Sequence, residues 1–477
     1  MRSRRWLKTA GTLALALLLS GSYCSWRGYY VPGGLKNTAA VISVGPVGGF
    51  ASVFVNGSEF ADSGATVTID GAAGSESELL VGQLATVSAA PGSGSIATAS
   101  AIATTTKLVG PVTAIDLGAA TVTVLGQTVT ITGDTSIASG VGPTDAGGLA
   151  VGAVVAIDGY RTSTGLIASR FDLAAAGRLF QVAGPVANLN TAAQTFSING
   201  TAVDYSSASG GLPAQLADGS YVVATGSTLL DSMTLSASQV TAQAEVPLGA
   251  SGASGTVHGA VTRFGSASDF DVGGQTVATT GTTSFINGVS GDVAPDVELE
   301  VAGSYDSSGN LTATTVTLAP AANVRVAGPV QSLDTVGSTL TVAGITIGTD
   351  AGTRWDDRGP TLLRTFGFAN LSVGDWVIAR GVASSTPASA SAHVLERYAT
   401  PSPATIELQD VAGNIANPTF TLTGITVSAV GATFTDVNGA SLTPAGFFGQ
   451  ANGRLVRARG ALSASGALVA ATVALRD

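Results

Sequence analysis

The 477-residue chain is 45% hydrophobic and only 11% charged, with 63 glycines, a balance that argues against a disordered polar chain. Its formal net charge of −10 leaves no basic face, so neither nucleic acid nor an anionic lipid surface is an expected partner. A single cysteine, Cys24, means that no internal disulfide can form and that the folded units rely on packing.

The N-terminus reads as an export signal. Arg2, Arg4, Arg5 and Lys8 form a basic start, "LALALLL" from Leu13 to Leu19 forms an apolar core, and small residues follow. The apolar run is too short to span a bilayer. The expected division is a signal peptide at 1–22 and a linker at 23–40. Removing the leader takes four basic residues and makes the remaining chain more acidic. Cys24 is a candidate lipidation site, although Tyr23 stands where lipoprotein signals place a small residue. The expected location is the periplasm, cell envelope or extracellular space, with membrane contact only through a lipid on Cys24.

Beyond the leader, three landmarks recur in order. The first is Gly-Pro-Val or a variant: Gly45-Pro46-Val47, Gly110-Pro111-Val112, Gly184-Pro185-Val186, Gly259-Ala260-Val261 and Gly328-Pro329-Val330. The second is an apolar residue, a spacer and Gly, as in Val55-Asn56-Gly57, Val124-Leu125-Gly126 and Leu422-Thr423-Gly424. The third is Leu-x-x-Gly-x-x-Val, as in Leu149…Gly152…Val155, Leu216…Gly219…Val222 and Leu371…Gly374…Val377, with a looser version around Gly82. The first landmark returns at intervals of about 65 to 75 residues, which marks an array of small domains and is too long for a solenoid coil. The expected β-domains are 41–108, 109–178, 179–248, 253–320, 322–402 and 403–477.

Copy two shows why each unit reads as β. In "TVTVLGQTVTI", Val122, Val124, Val129 and Ile131 alternate with threonines around a short Gly-containing break, the pattern of a half-buried hairpin. "GPVTAID" supplies an earlier strand with Pro111 at its start. "VGAVVAIDGYR" and "GLIASRFDLA" supply a fourth and a fifth. The expected fold class is all-β, a tandem array of about six small five-stranded barrels of the OB-like or SH3-like kind. Immunoglobulin-like β-sandwiches are the alternative, which needs more strands per unit.

"GPVGGFASVFVNGSEFADSGATVTIDG", from Gly45 to Gly71, resembles the first copy in bacterial exported proteins of the domain of unknown function 5666 family. The later landmarks resemble further copies, so the resemblance covers roughly 41–477. It implies export and small β-domains, and it carries no activity, cofactor or site residue.

Candidate chemistry is sparse. His258 and His393 lie in different copies and read as outward or core-edge strand residues without matching partners. Asp292, Asp296, Glu298 and Glu300 in "GDVAPDVELEV" read as a solvated strand face rather than a calcium site. A Thr-x-apolar unit recurs at Thr135, Thr283 and Thr353 and reads as a turn hydroxyl followed by a barrel plug. The fifth copy is the exception. "TRWDDRGPTLLRTFGF" crowds Trp355, Arg358, Arg364, Phe366 and Phe368 into one long loop, and aromatic and Arg side chains are common binding anchors. These five are the candidate ligand-binding residues; the competing reading is that they seal copy five against copy six. No catalytic residue, metal site or cofactor is expected. The expected function is a non-enzymatic extracytoplasmic binding or scaffolding module for an unidentified protein or glycan. A surface stalk or adhesin and a carbohydrate-active enzyme are the rivals.

Overall fold

The computed structural model describes residues 40–90, 96–137, 148–209, 212–244 and 249–476. The leader at 1–22 and Cys24 lie outside the described residues.

Six closed five-stranded barrels follow one another. In copy two the strands are Leu108–Asp116, Thr121–Val124, Gln127–Ile137, Val154–Arg161 and Gly165–Leu173. The first pairs with the second, the second with the third, and the third runs parallel to the fifth. The fifth pairs with the fourth, which closes back on the first. This 1-2-3-5-4-1 order recurs in all six copies, at residues 41–104, 108–173, 180–242, 254–318, 324–398 and 406–476. The array is all-β apart from short turns of helix, one of them Pro444–Phe448.

The landmarks are the joints of this barrel. At the second landmark both the spacer and the glycine have positive φ, as at Leu125 (49°) and Gly126 (78°). That is the two-residue turn whose twist matches antiparallel strands. The first and third landmarks bond to each other. The Val112 amide donates to the Ala153 carbonyl, and the Val112 carbonyl accepts from Gly152. The same exchange joins Val47 to Gly82 and Gln83, Val186 to Gly219 and Ser220, and Val330 to Gly374 and Asp375. In copy four Asp296 takes the glycine's place, and in copy six Ala412 and Gly453 make the exchange. These are the landmark residues whose identity drifts most in the sequence. The glycine of Gly-Pro-Val is fixed by packing: a Cβ on Gly110 would lie 2.6 Å from the Leu125 side chain of the hairpin turn.

The recurring threonines also serve the barrel. Thr135, Thr283 and Thr353 each donate from the hydroxyl to a fifth-strand carbonyl, those of Ala168, Ala313 and Ala392.

Neighbouring barrels share sheets through their first strands. Copy two pairs antiparallel with copy three, and copy five with copy six, and each pair has one continuous core. Copy one pairs with copy four instead, in parallel, Val41–Val44 against Ser254–Val257. Residues on both faces of that strand are buried, which is why "VISV" is nearly all apolar. Val41 faces its own core, whereas Ile42 belongs to the core of copy four.

Candidate functional site

The fifth-copy loop begins on the strand Arg354–Arg358. Trp355 is half-buried, edge-on to Phe366 and Phe368 at centroid distances of 5.8 and 6.3 Å. Phe366 is buried in the core of copy five. Arg358 is ion-paired with Asp356 at 2.8 Å and Glu396 at 3.2 Å. Arg364 reaches out of its copy. Its guanidinium donates to the Glu76 carboxylate (2.7 Å), the Leu79 carbonyl (2.8 Å) and the Glu76 carbonyl, and lies 3.5 Å over the Phe50 ring. The loop therefore meets copy one. The expected seal against copy six is not the contact it makes, because Phe447 and Phe448 fold inward on Phe420 and Phe434 and plug copy six itself. A cleft of about 290 Å³ remains between copies one, two and five, lined by Trp355, Leu362 and Arg364 together with Phe50, Val81 and Arg170.

A second constellation lies where copies one, two, four and five meet. His258 and His393, read from sequence as unpartnered, line the same small cavity of about 60 Å³, so that reading is corrected. His258 Nε2 is 2.7 Å from Glu298, and its ring stacks on Tyr160 of copy two at 5.3 Å. His393 Nδ1 is 2.9 Å from Asp134 of copy two, which also faces Arg354 at 3.3 Å. Glu298 and Glu300 are likewise not a solvated face: they lie on this wall, and Asp296 accepts from the Ser163 amide (2.6 Å) and hydroxyl (2.5 Å) of copy two. Burial opposes a charge on His258, but the Glu298 hydrogen bond and the Glu298 and Glu300 charges outweigh it and raise its pKa. Burial opposes ionisation of Asp134 too, and His393, Arg354 and Arg380 overcome it, holding that carboxyl well below its usual range. Among the described residues no group of three His, Cys, Asp or Glu is placed to hold a metal ion.

Asp134, Glu298 and Ala319 also line a larger cavity of about 390 Å³ on the other side. Its walls come from copies two, four, five and six and from the segment joining copies four and five. Its cationic side is Arg325, Arg380, Arg457 and Arg476. Arg325 and Arg459 share the Glu407 carboxylate at 2.5 and 2.6 Å, and Arg457 Nε donates to Gln409 Oε1 at 2.8 Å. Burial would raise Glu407; the three arginines around it pull its pKa down to about 2. Arg380 and Arg358 share Glu396.

Arg325, Arg380 and Arg457 each interrupt an apolar run in a strand, and that is the sequence signal for this cavity. In five copies the fifth strand carries a bulge against the fourth, the extra residue being Ser100, Ser169, Thr314, His393 or Ala471. A bulge re-aims the side chain at it, and in copy five that residue is His393, which reaches Asp134 of copy two.

Comparison with known proteins agrees with this repeat. No curated protein matches the chain. The family model described as a domain of unknown function, DUF5666, matches at 109–170, 258–317, 327–386 and 411–474. These segments fall on copies two, four, five and six and make up just over half of the chain. Copies one and three, outside the matches, have the same strand order. The chain belongs to the DUF5666 family, as a tandem array of its barrels.

Proposed function

We propose that the chain is an exported, non-enzymatic module that binds or scaffolds an extracytoplasmic partner, with a protein or glycan as the partner class. The observation that carries this reading is the junction, where four copies contribute charged side chains to two adjoining cavities. Interfaces between domains are common places for ligand sites. The return of copy one to copy four turns the array back on itself, which supports a compact module over a stalk. The fifth-copy cleft, with Trp355 and Arg364 on its rim, is the second place where a partner would dock.

The test is mass spectrometry of the protein from its native host, first intact under native conditions and then denatured. The expected chain starts near Tyr23, or at Cys24 with acyl chains, and carries a non-covalent mass that is lost on denaturation. A cytosolic chain that retains the leader overturns export. A purified protein that turns over glycan substrates overturns the non-enzymatic reading.

A further inference from the structure

We infer that the groove between copies one, two, three and four binds a neutral saccharide; this rests on the binding-module reading and chooses between its two partner classes for one cavity. The groove holds about 350 Å³, within the range of small-molecule sites. Its floor is the outer face of copy one. On the strands Thr66–Ile69, Leu84–Ala90 and Ala97–Thr104, Val67, Val87 and Ile102 fill the core, so alternation turns Thr68, Thr86, Ser88, Ala101 and Ala103 outward. Ala97–Thr104 is the middle strand of the three. Ala103 pairs with Thr86 on one side and Thr68 on the other, and Ala101 pairs with Ser88. The small side chains of the middle strand leave a trough between rims of hydroxyls.

The polar groups on these walls are reachable and not spent. Thr68, Thr86 and Ser88 are only half-buried, and their hydroxyls make no protein hydrogen bond among the described residues. Each can donate and accept, as a sugar hydroxyl does. Across the trough stand Tyr221, on the fourth strand of copy three, and Gln243 just beyond that copy, both half-buried. Gln243 Oε1 accepts from the Thr105 hydroxyl at 3.1 Å, which leaves its side-chain amide to donate. The Tyr221 phenol accepts from Lys107 Nζ at 2.8 Å and keeps its own proton to donate. The Tyr221 ring adds the aromatic body on which the C–H face of a sugar packs.

The ligand is neutral because the cations on the lining have partners of their own: Lys107 donates to Tyr221, His258 pairs with Glu298, and Arg161 is engaged as well. An extended peptide suits the groove less well. Peptides commonly dock by adding a strand to a free sheet edge. Here Leu84–Ala90 is already paired with the first and fifth strands of copy one, and Ala97–Thr104 with the third and fourth. What remains on offer is side-chain hydroxyl and amide groups spread across a trough, which matches a ring bearing hydroxyls on several sides.

Calorimetric titration of the full chain with cellobiose, maltose and lactose, and with glucuronate as the charged comparator, tests the inference. At least one of the three disaccharides should bind one to one, and at least about tenfold more tightly than glucuronate. Thr86→Val removes one hydroxyl, keeps a strand-forming side chain and should weaken that sugar about three- to tenfold. Ala103→Leu fills the trough at an exposed position and should weaken it by at least about tenfold without moving the melting midpoint. Glucuronate binding as tightly as the best disaccharide, or an Ala103→Leu variant with unchanged affinity, overturns the inference. Failure of all three disaccharides to bind the wild type overturns it too. That failure leaves the binding-module reading standing with a protein partner, since the mass-spectrometric test of that reading involves no added sugar.

Discussion

Asp158 is buried on the fourth strand of copy two, and its Oδ1 has no hydrogen-bond partner among the described residues. Burial, then the Asp70 and Asp172 charges, push its pKa up to about 7 against the pull of Arg170 and Lys107. The folded state thus holds a proton that the unfolded chain releases near pH 4. From Asp158 alone, stability should fall as pH rises from about 4 to about 7 and level off above that, since the folded state binds more protons throughout that window. The raised pKa of His258 acts in the same direction at higher pH: its contribution is full below about 6.5 and is lost as pH rises through the folded value. Asp158→Asn should remove the lower part of the slope and stabilise the protein at pH 8 by on the order of 2–4 kcal/mol. Urea midpoints at pH 5 and pH 8 check this, and an unchanged slope would refute it. Arg364 is a second test at this scale. Its removal in Arg364→Ala strips the donors from Glu76 and Leu79, and should cost roughly 1–3 kcal/mol in the midpoint at which copies one and five separate.

The first strand of copy one has two duties, and Ile42 isolates one of them. The side chain is buried in the core of copy four, not its own. Ile42→Ala should therefore destabilise by about 2–4 kcal/mol, with hydrogen exchange speeding most in the fourth copy's first strand. Fastest exchange confined to copy one would contradict the assignment. At this scale the sequence was most legible. Alternation in "TVTVLGQTVTI" and the spacer-Gly turn encode a hairpin locally, because strand period and turn chemistry need only neighbouring residues. The first and third landmarks were legible as motifs, but their mutual bonding was not, since it joins residues about 40 apart through the backbone. The sites were less legible. Trp355 and Phe366 drew attention as aromatics in an aromatic-poor chain, yet Phe366 fills a core. His258 and His393 looked isolated because their shared cavity depends on how barrels pack, and no periodicity within one copy encodes that.

At the scale of the molecule, six barrels form three pairs, and the pairs lock through Arg170 donating to the Val81 carbonyl, Asp296 accepting from Ser163 and Arg364 on Glu76. A single body of residues 40–476 has an expected radius of gyration of about 22 Å. Small-angle scattering that shows an extended rod would refute the closed arrangement and revive the stalk. The pairing of copy one with copy four also sets a schedule. Copies two and three, and copies five and six, can join as soon as the later member is made. Copy one cannot: the strand edge at Val41–Val44 and the apolar face of Ile42 wait until residues 254–257 exist, more than two hundred positions later. During synthesis that edge is open to any other strand. A chain cut off between copies three and four would keep it open permanently, so premature termination there should produce aggregates, whereas loss of copies five and six leaves the edge covered.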